Sequence, residues 1–81
     1  MSISHFAIAY NIGEVFFMRL KELREDLDIP QRVIAEYLHI KQNTYSQYEN
    51  GQRQLPIDVL IKLSNYFNVS TDYILGLTDK Q

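Results

Sequence analysis

An all-α domain is what the sequence predicts, on three observations. From about residue 14 onward the apolar residues recur at three- and four-residue spacing, the period of a helix face. Helix-ending residues interrupt that pattern at short intervals, at Pro30, Asn50-Gly51, Pro56, Asn68 and Gly76, so the helices are short and closely connected. A chain of 81 residues, 46% apolar and 22% charged, suits one globular core rather than a disordered tail.

Residues 1–13 stand apart from the rest. Phe6, Ile8, Tyr10 and Ile12 alternate with His5, Ala7, Ala9 and Asn11, a period of two that reads as an extended strand. A lone strand in a helical protein has an edge to cover. The segment is therefore either a strand shared with a second chain or a disordered leader ahead of Met18.

The domain proper is expected over residues 14–77, with a frayed tail at 78–81. The first helix runs from about Glu14 to Asp26, with Phe16, Leu20, Leu23 and Leu27 as its apolar stripe. Asp28-Ile29-Pro30 ends it, because proline disfavours helical geometry at the residue before it. The second helix begins at Pro30 or Gln31, where a missing N–H is harmless, and runs to Leu38 with Ile34 and Leu38 inward. Ala35, the smallest residue on that face, lets a neighbouring helix approach closely. His39-Ile40-Lys41 is a tight turn that requires a positive φ, and His39 is a second-choice occupant for it.

The third helix covers Gln42 to Glu49, with Tyr45 and Tyr48 inward beside Ile40 and their hydroxyls expected to reach water. Gln42, Asn43, Ser46 and Gln47 fall on its other face. Gly51 stops it in the left-handed conformation. After a polar loop, Pro56 opens a fourth helix to Phe67 with Leu60, Leu63 and Phe67 inward, and Asn68 caps it. Ser70 starts a short fifth helix over Tyr73, Ile74 and Leu75, Asp72 suits the positive end of its dipole, and Gly76 closes it.

Composition narrows the function. Without cysteine there are no disulfides, thiolate nucleophiles or Cys-based zinc and iron–sulfur sites. Two histidines far apart, His5 and His39, make neither a metal site nor a hydrolytic triad, and no nucleophile elbow or glycine-rich phosphate loop is present. No enzyme activity, cofactor or metal is expected. The longest apolar stretch, Ile3 to Met18, is broken by His5, Asn11, Gly13 and Glu14, so neither a membrane span nor a secretory signal is expected, and a cytoplasmic location is the default. The net charge of −2 argues mildly against a nucleic-acid binder. The middle of the chain is the least acidic part, with Arg32, Lys41 and Arg53 against Glu36 and Glu49.

Two short helices joined by a three-residue turn, the second polar on its outer face, have the layout of a helix-turn-helix DNA reader. The residue types suit that use. Gln and Asn pair bidentately with adenine in the major groove, and Ser pairs with several bases. Gln42, Asn43, Ser46 and Gln47 occupy the first turn and a half of the third helix, the end that enters the groove in this motif.

Residues 31–51 resemble the Xre family of phage-repressor-like (Cro-type) helix-turn-helix proteins. Gln31 matches the family's glutamine at the start of the second helix, Ile34-Ala35 its aliphatic-alanine pair, and Tyr48-Glu49-Asn50-Gly51 its aromatic-Glu-polar-Gly ending. Leu55-Pro56, the Leu60/Leu63/Phe67 spacing and the run from Val69 to Gly76 match its last two helices, so the resemblance covers residues 18–77. It implies a five-helix, lambda-repressor-like domain that binds double-stranded DNA as a homodimer on two half-sites. It implies base contacts from Gln42, Asn43, Ser46 and Gln47, and phosphate contacts from Gln31, Thr44, Asn50 and Arg53, with Lys41 a further candidate.

The sequence departs from the family at three places. His39 stands where the family has glycine, Lys41 where it has a Ser or Thr helix cap, and residues 1–17 precede the usual start. Glu49 is expected to orient an arginine or a backbone amide, since a carboxylate facing phosphate would repel it. The expected function is sequence-specific DNA binding by a small prokaryotic or phage transcriptional regulator, a repressor acting as a dimer on a near-palindromic operator. The alternative is an antitoxin-like or anti-repressor module that uses the same scaffold to bind a protein partner, favoured by the acidic balance and the apolar N-terminus.

Overall fold

The computed structural model describes residues 19–81, and every structured element in that range is helical. The expectations for residues 1–13, for the helix start at Glu14 and for Phe16 lie outside the described residues. The described part of α1 covers residues 19–26. It is followed by α2 (Gln31–Leu38), α3 (Gln42–Glu49), α4 (Ile57–Phe67) and α5 (Thr71–Ile74).

One core joins all five helices. Leu20 and Leu23 come from α1, Ile34, Ala35 and Leu38 from α2, and Tyr45 and Tyr48 from α3. Val59, Leu63 and Phe67 come from α4, Val69 from the last connection and Ile74 from α5. Each large aliphatic side chain buried in this way contributes about 1.5–3 kcal/mol of transfer free energy. Val59, Leu63 and Phe67 form an i, i+4, i+8 stripe, so Val59 takes the inner position and Leu60, expected inward, packs half-buried at the edge. Leu27 departs further. It was expected on the α1 stripe but is 58% exposed, because the helix ends at residue 26 and the chain turns away before Leu27 can face the core.

All five helices end in the same way. A residue with positive φ follows each one: Asp28 (55°), His39 (60°), Gly51 (76°), Asn68 (57°) and Gly76 (79°). At each end the next residue's amide reaches back five residues to a helix carbonyl. The bonds run from Ile29 to Arg24 (3.1 Å), Ile40 to Ala35 (3.0 Å), Gln52 to Gln47 (2.9 Å), Val69 to Ser64 (3.1 Å) and Leu77 to Asp72 (2.9 Å). This is the Schellman closure, which satisfies carbonyls the helix leaves unpaired. Helix starts are less uniform. Ser70 Oγ accepts from the Tyr73 amide at 3.0 Å, whereas Pro30, Lys41 and Pro56 precede α2, α3 and α4 without any side-chain cap.

Arg19 fastens α1 to the far end of the domain. Its guanidinium donates to the carbonyls of Tyr73 (2.7 Å) and Thr78 (3.0 Å) and to the Asp79 carboxylate (2.9 Å), and lies 4.2 Å from the centre of the Tyr73 ring. Residues 78–81, expected as a frayed tail, also carry the Gln81 carbonyl that accepts from the Ser70 amide at 2.9 Å. No helix among the described residues is long and apolar enough to cross a membrane.

Candidate nucleic-acid interface

Helix α3 is held against α2 from below and turned outward by the connection between them. Ala35 is almost fully buried and supplies the close approach, while Tyr45 and Tyr48 anchor the inner side of α3. His39, in the left-handed conformation, reverses the chain within three residues, as the sequence predicts. Lys41 then enters α3 in an extended conformation (φ −71°, ψ 146°). Among the described residues no side chain accepts from the first-turn amides of α3, so its positive dipole end is open to an outside acceptor.

The expected base-reading residues share the outer side of α3. Gln42 and Asn43 are exposed in its first turn, and Ser46 and Gln47 are half-buried one turn later. Two of them are tied to residues expected to touch phosphates. Arg53 Nε donates to Gln47 Oε1 at 2.9 Å, and Asn50 Nδ2 donates to Ser46 Oγ at 3.4 Å. Lys41 is exposed at the entrance of α3, and Thr44 is half-buried within it. Gln31 faces inward instead: its Nε2 donates to Glu49 Oε1 at 3.0 Å, leaving the second N–H of that amide for another acceptor.

Glu49 is the buried hub beneath this surface. It is only 5% exposed, at the C-terminal end of α3, where the helix dipole disfavours a carboxylate. Arg24 compensates it with a two-pronged ion pair, Nε to Oε2 at 2.6 Å and Nη2 to Oε1 at 3.1 Å. The same guanidinium donates to the Ile29 carbonyl at 2.9 Å, so α1, the α1–α2 turn, α2 and α3 meet at one site. Burial pushes the Glu49 carboxyl up, but the hydrogen bonds from Arg24 and Gln31 and the Arg24 charge outweigh it and hold the group below the usual carboxylate range. The Glu49 hydrogen bond in turn raises the Arg24 guanidinium.

Tyr45 lies beside this pair, one turn before Glu49. Its hydroxyl was expected to reach water, but it is buried and has no hydrogen-bond partner among the described residues. The residue is fully enclosed because α3 docks by this ring, and that burial, followed by the Glu49 charge, pushes the phenol pKa up.

The expectation that Glu49 orients an arginine is met, with Arg24 as the partner. Arg24 itself was not singled out by the sequence reading. The signal lay in α3: Tyr45, Tyr48 and Glu49 follow i, i+3, i+4 spacing, which puts the carboxylate on the inward stripe and requires a cation there.

The pairing also changes the surface charge. With Glu49 internal and neutralised, residues 30–56 expose Arg32, Lys41 and Arg53 against Glu36 alone. Arg32 and Glu36 are a loose, exposed pair at 3.8 Å, which leaves Lys41 and Arg53, at the two ends of α3, as cations with no salt-bridge partner among the described residues.

The family model described as "Helix-turn-helix" (HTH_3) matches residues 20–74 of this chain. Several bacterial regulators are similar to it. The HTH-type transcriptional regulator ImmR of Bacillus subtilis is 50% identical over 58 residues, covering 72% of this chain and 46% of that protein. The uncharacterized HTH-type transcriptional regulator YobD of the same organism is 37% identical over 65 residues, 80% of this chain and 58% of that protein. The SPbeta prophage-derived regulator YonR, also from Bacillus subtilis, is 37% identical over 67 residues, 83% of this chain and 62% of its own length. The chain thus spans between 46% and 62% of the length of these relatives. No solved structure gives a significant match.

Proposed function

The chain belongs to the helix-turn-helix family, and from that membership we propose that it binds double-stranded DNA in a sequence-specific manner as a transcriptional regulator. The observation that carries this reading is α3 itself. It is a helix anchored by two buried tyrosines that turns Gln42, Asn43, Ser46 and Gln47 outward between the exposed charges of Lys41 and Arg53.

In this reading α3 enters the major groove, where Gln42, Asn43, Ser46 and Gln47 address base edges. Gln31, Lys41, Thr44, Asn50 and Arg53 contact phosphates and fix the register without reading sequence. The uncapped N-terminus of α3 beside Lys41 suits a phosphate oxygen, which would satisfy amides that no side chain caps. The protein acts as a repressor, a homodimer with recognition helices about 34–36 Å apart on a near-palindromic operator. It carries out no catalysis.

The test is selection of bound duplexes from a random DNA library by the folded protein at one stated near-physiological salt concentration. Enrichment of a two-fold-symmetric motif is the expected result. No enrichment by protein that shows helical circular dichroism would reject the DNA-binding reading. The surface would then be assigned to a protein partner, whose binding lacks the steep salt dependence that phosphate contacts impose.

A further inference from the structure

Gln47 and Arg53 form one unit on the outer side of α3. Arg53 Nε donates to Gln47 Oε1 at 2.9 Å. A guanidinium has donors only, so the carbonyl end of the Gln47 carboxamide must be the end that faces it. The loop backbone is held to the same residue, because the Gln52 amide donates to the Gln47 carbonyl at 2.9 Å. Gly51, with φ of 76°, turns the chain back to make this possible. Gln47 is therefore gripped by the loop through both its main chain and its side chain.

This grip changes what Gln47 can read. An unattached glutamine recognises adenine with both ends of its amide, donating to N7 and accepting from the N6 amino group. With Oε1 turned onto Arg53, the outward groups of the pair are donors: the N–H groups of Gln47 Nε2 and the Arg53 Nη groups. Guanine offers N7 and O6 in the major groove, and both are acceptors. We propose that Gln47 and Arg53 act as a single donor pair that selects guanine at one base pair of the binding site. Arg53 is then a specificity-determining residue and not only a charge beside a phosphate. The pair is arranged before DNA arrives, so less side-chain freedom is lost on binding. The inference rests on the DNA-binding reading above.

The test repeats the duplex selection with the full chain and with its Arg53→Ala and Arg53→Lys variants at the same salt, each checked for native helicity by circular dichroism. The wild-type motif is expected to contain a guanine position that depends on Arg53. In Arg53→Ala that preference falls by about 5- to 150-fold or turns to adenine as Gln47 Oε1 is released, while the other positions stay as they were. Arg53→Lys keeps the charge but not the planar fork, so it loses the guanine preference while losing less affinity for random duplex than Arg53→Ala does. A motif identical in all three proteins, with only a uniform loss of affinity in Arg53→Ala, would make Arg53 a phosphate contact and overturn the pairing. A wild-type motif without a guanine position would also overturn it, leaving the DNA-binding reading intact. If the wild-type protein enriches nothing, both fall together.

Discussion

Replacing Glu49 by glutamine removes a charge and leaves a side chain of nearly the same shape. The Arg24 guanidinium, 13% exposed in its side chain, then loses its counterion beneath the recognition surface. Glu49→Gln is expected to lower unfolding free energy by about 3 kcal/mol, read from urea midpoints at neutral pH. The pair also sets a pH dependence. The Glu49 carboxyl lies below its ordinary value of 4.5 in the folded protein, so the unfolded chain takes up that proton first as pH falls. The stabilisation is complete above the ordinary carboxylate range and drains away as pH drops through the depressed folded value. The gap between wild type and Glu49→Gln should therefore be wide at pH 7 and narrow toward pH 3. Gln42 and Asn43 belong to the opposite class, exposed and free of structural duty. Gln42→Ala or Asn43→Ala should leave stability nearly unchanged and reduce discrimination between operator and random duplex by about 1–3 kcal/mol. Equal loss on both DNAs in a competition assay would show that they do not read bases.

The helix ends are where local chemistry and tertiary structure pull in different directions. His39 closes α2 in the left-handed region, which disfavours residues with a Cβ by about 1–2 kcal/mol. Its exposed side chain makes none of the side-chain hydrogen bonds among the described residues, so His39→Gly should raise the thermal midpoint, with a gain of about 1 kcal/mol. Lys41 is the counterpart at the start of α3. Lys41→Ser adds the missing cap and should stabilise the fold by about 1 kcal/mol. If Lys41 neutralises a phosphate, the same change reduces the slope of log affinity against log salt by about 0.9, measured by DNA titration at several salt concentrations.

These ends were also the most legible part of the sequence. Pro30, His39, Gly51, Asn68 and Gly76 placed the boundaries of the later helices, because prolines and left-handed residues act through local backbone sterics. Packing was less legible. Whether Val59 or Leu60 faces the core depends on the rotation of α4 against its neighbours, and the exposure of Leu27 depends on where α1 turns away. At the candidate site the outward face of α3 followed from helical period alone. The Arg24–Glu49–Gln31 cluster and the Gln47–Arg53 bond did not, because each joins side chains from separate elements or across a turn.

At the scale of the whole molecule, net charge is a poor guide to the field at one face. The chain is acidic in sum, but one carboxylate of its middle segment is internal and paired, so the surface around α3 presents cations that the total hides. The arrangement of contacts along the chain has a separate consequence, in time. The α2–α3 unit closes through neighbours in sequence, whereas the Arg19 links to Tyr73, Thr78 and Asp79 span 54 to 60 residues. Long loops are closed late, once shorter contacts have already restricted the chain. Arg19→Ala should therefore accelerate unfolding while leaving the refolding rate almost unchanged, so that a stopped-flow chevron shifts on its unfolding arm. The bonds around Arg19 act as a latch. They govern how long the folded domain persists once formed, and have little part in how quickly the helix-turn-helix unit assembles.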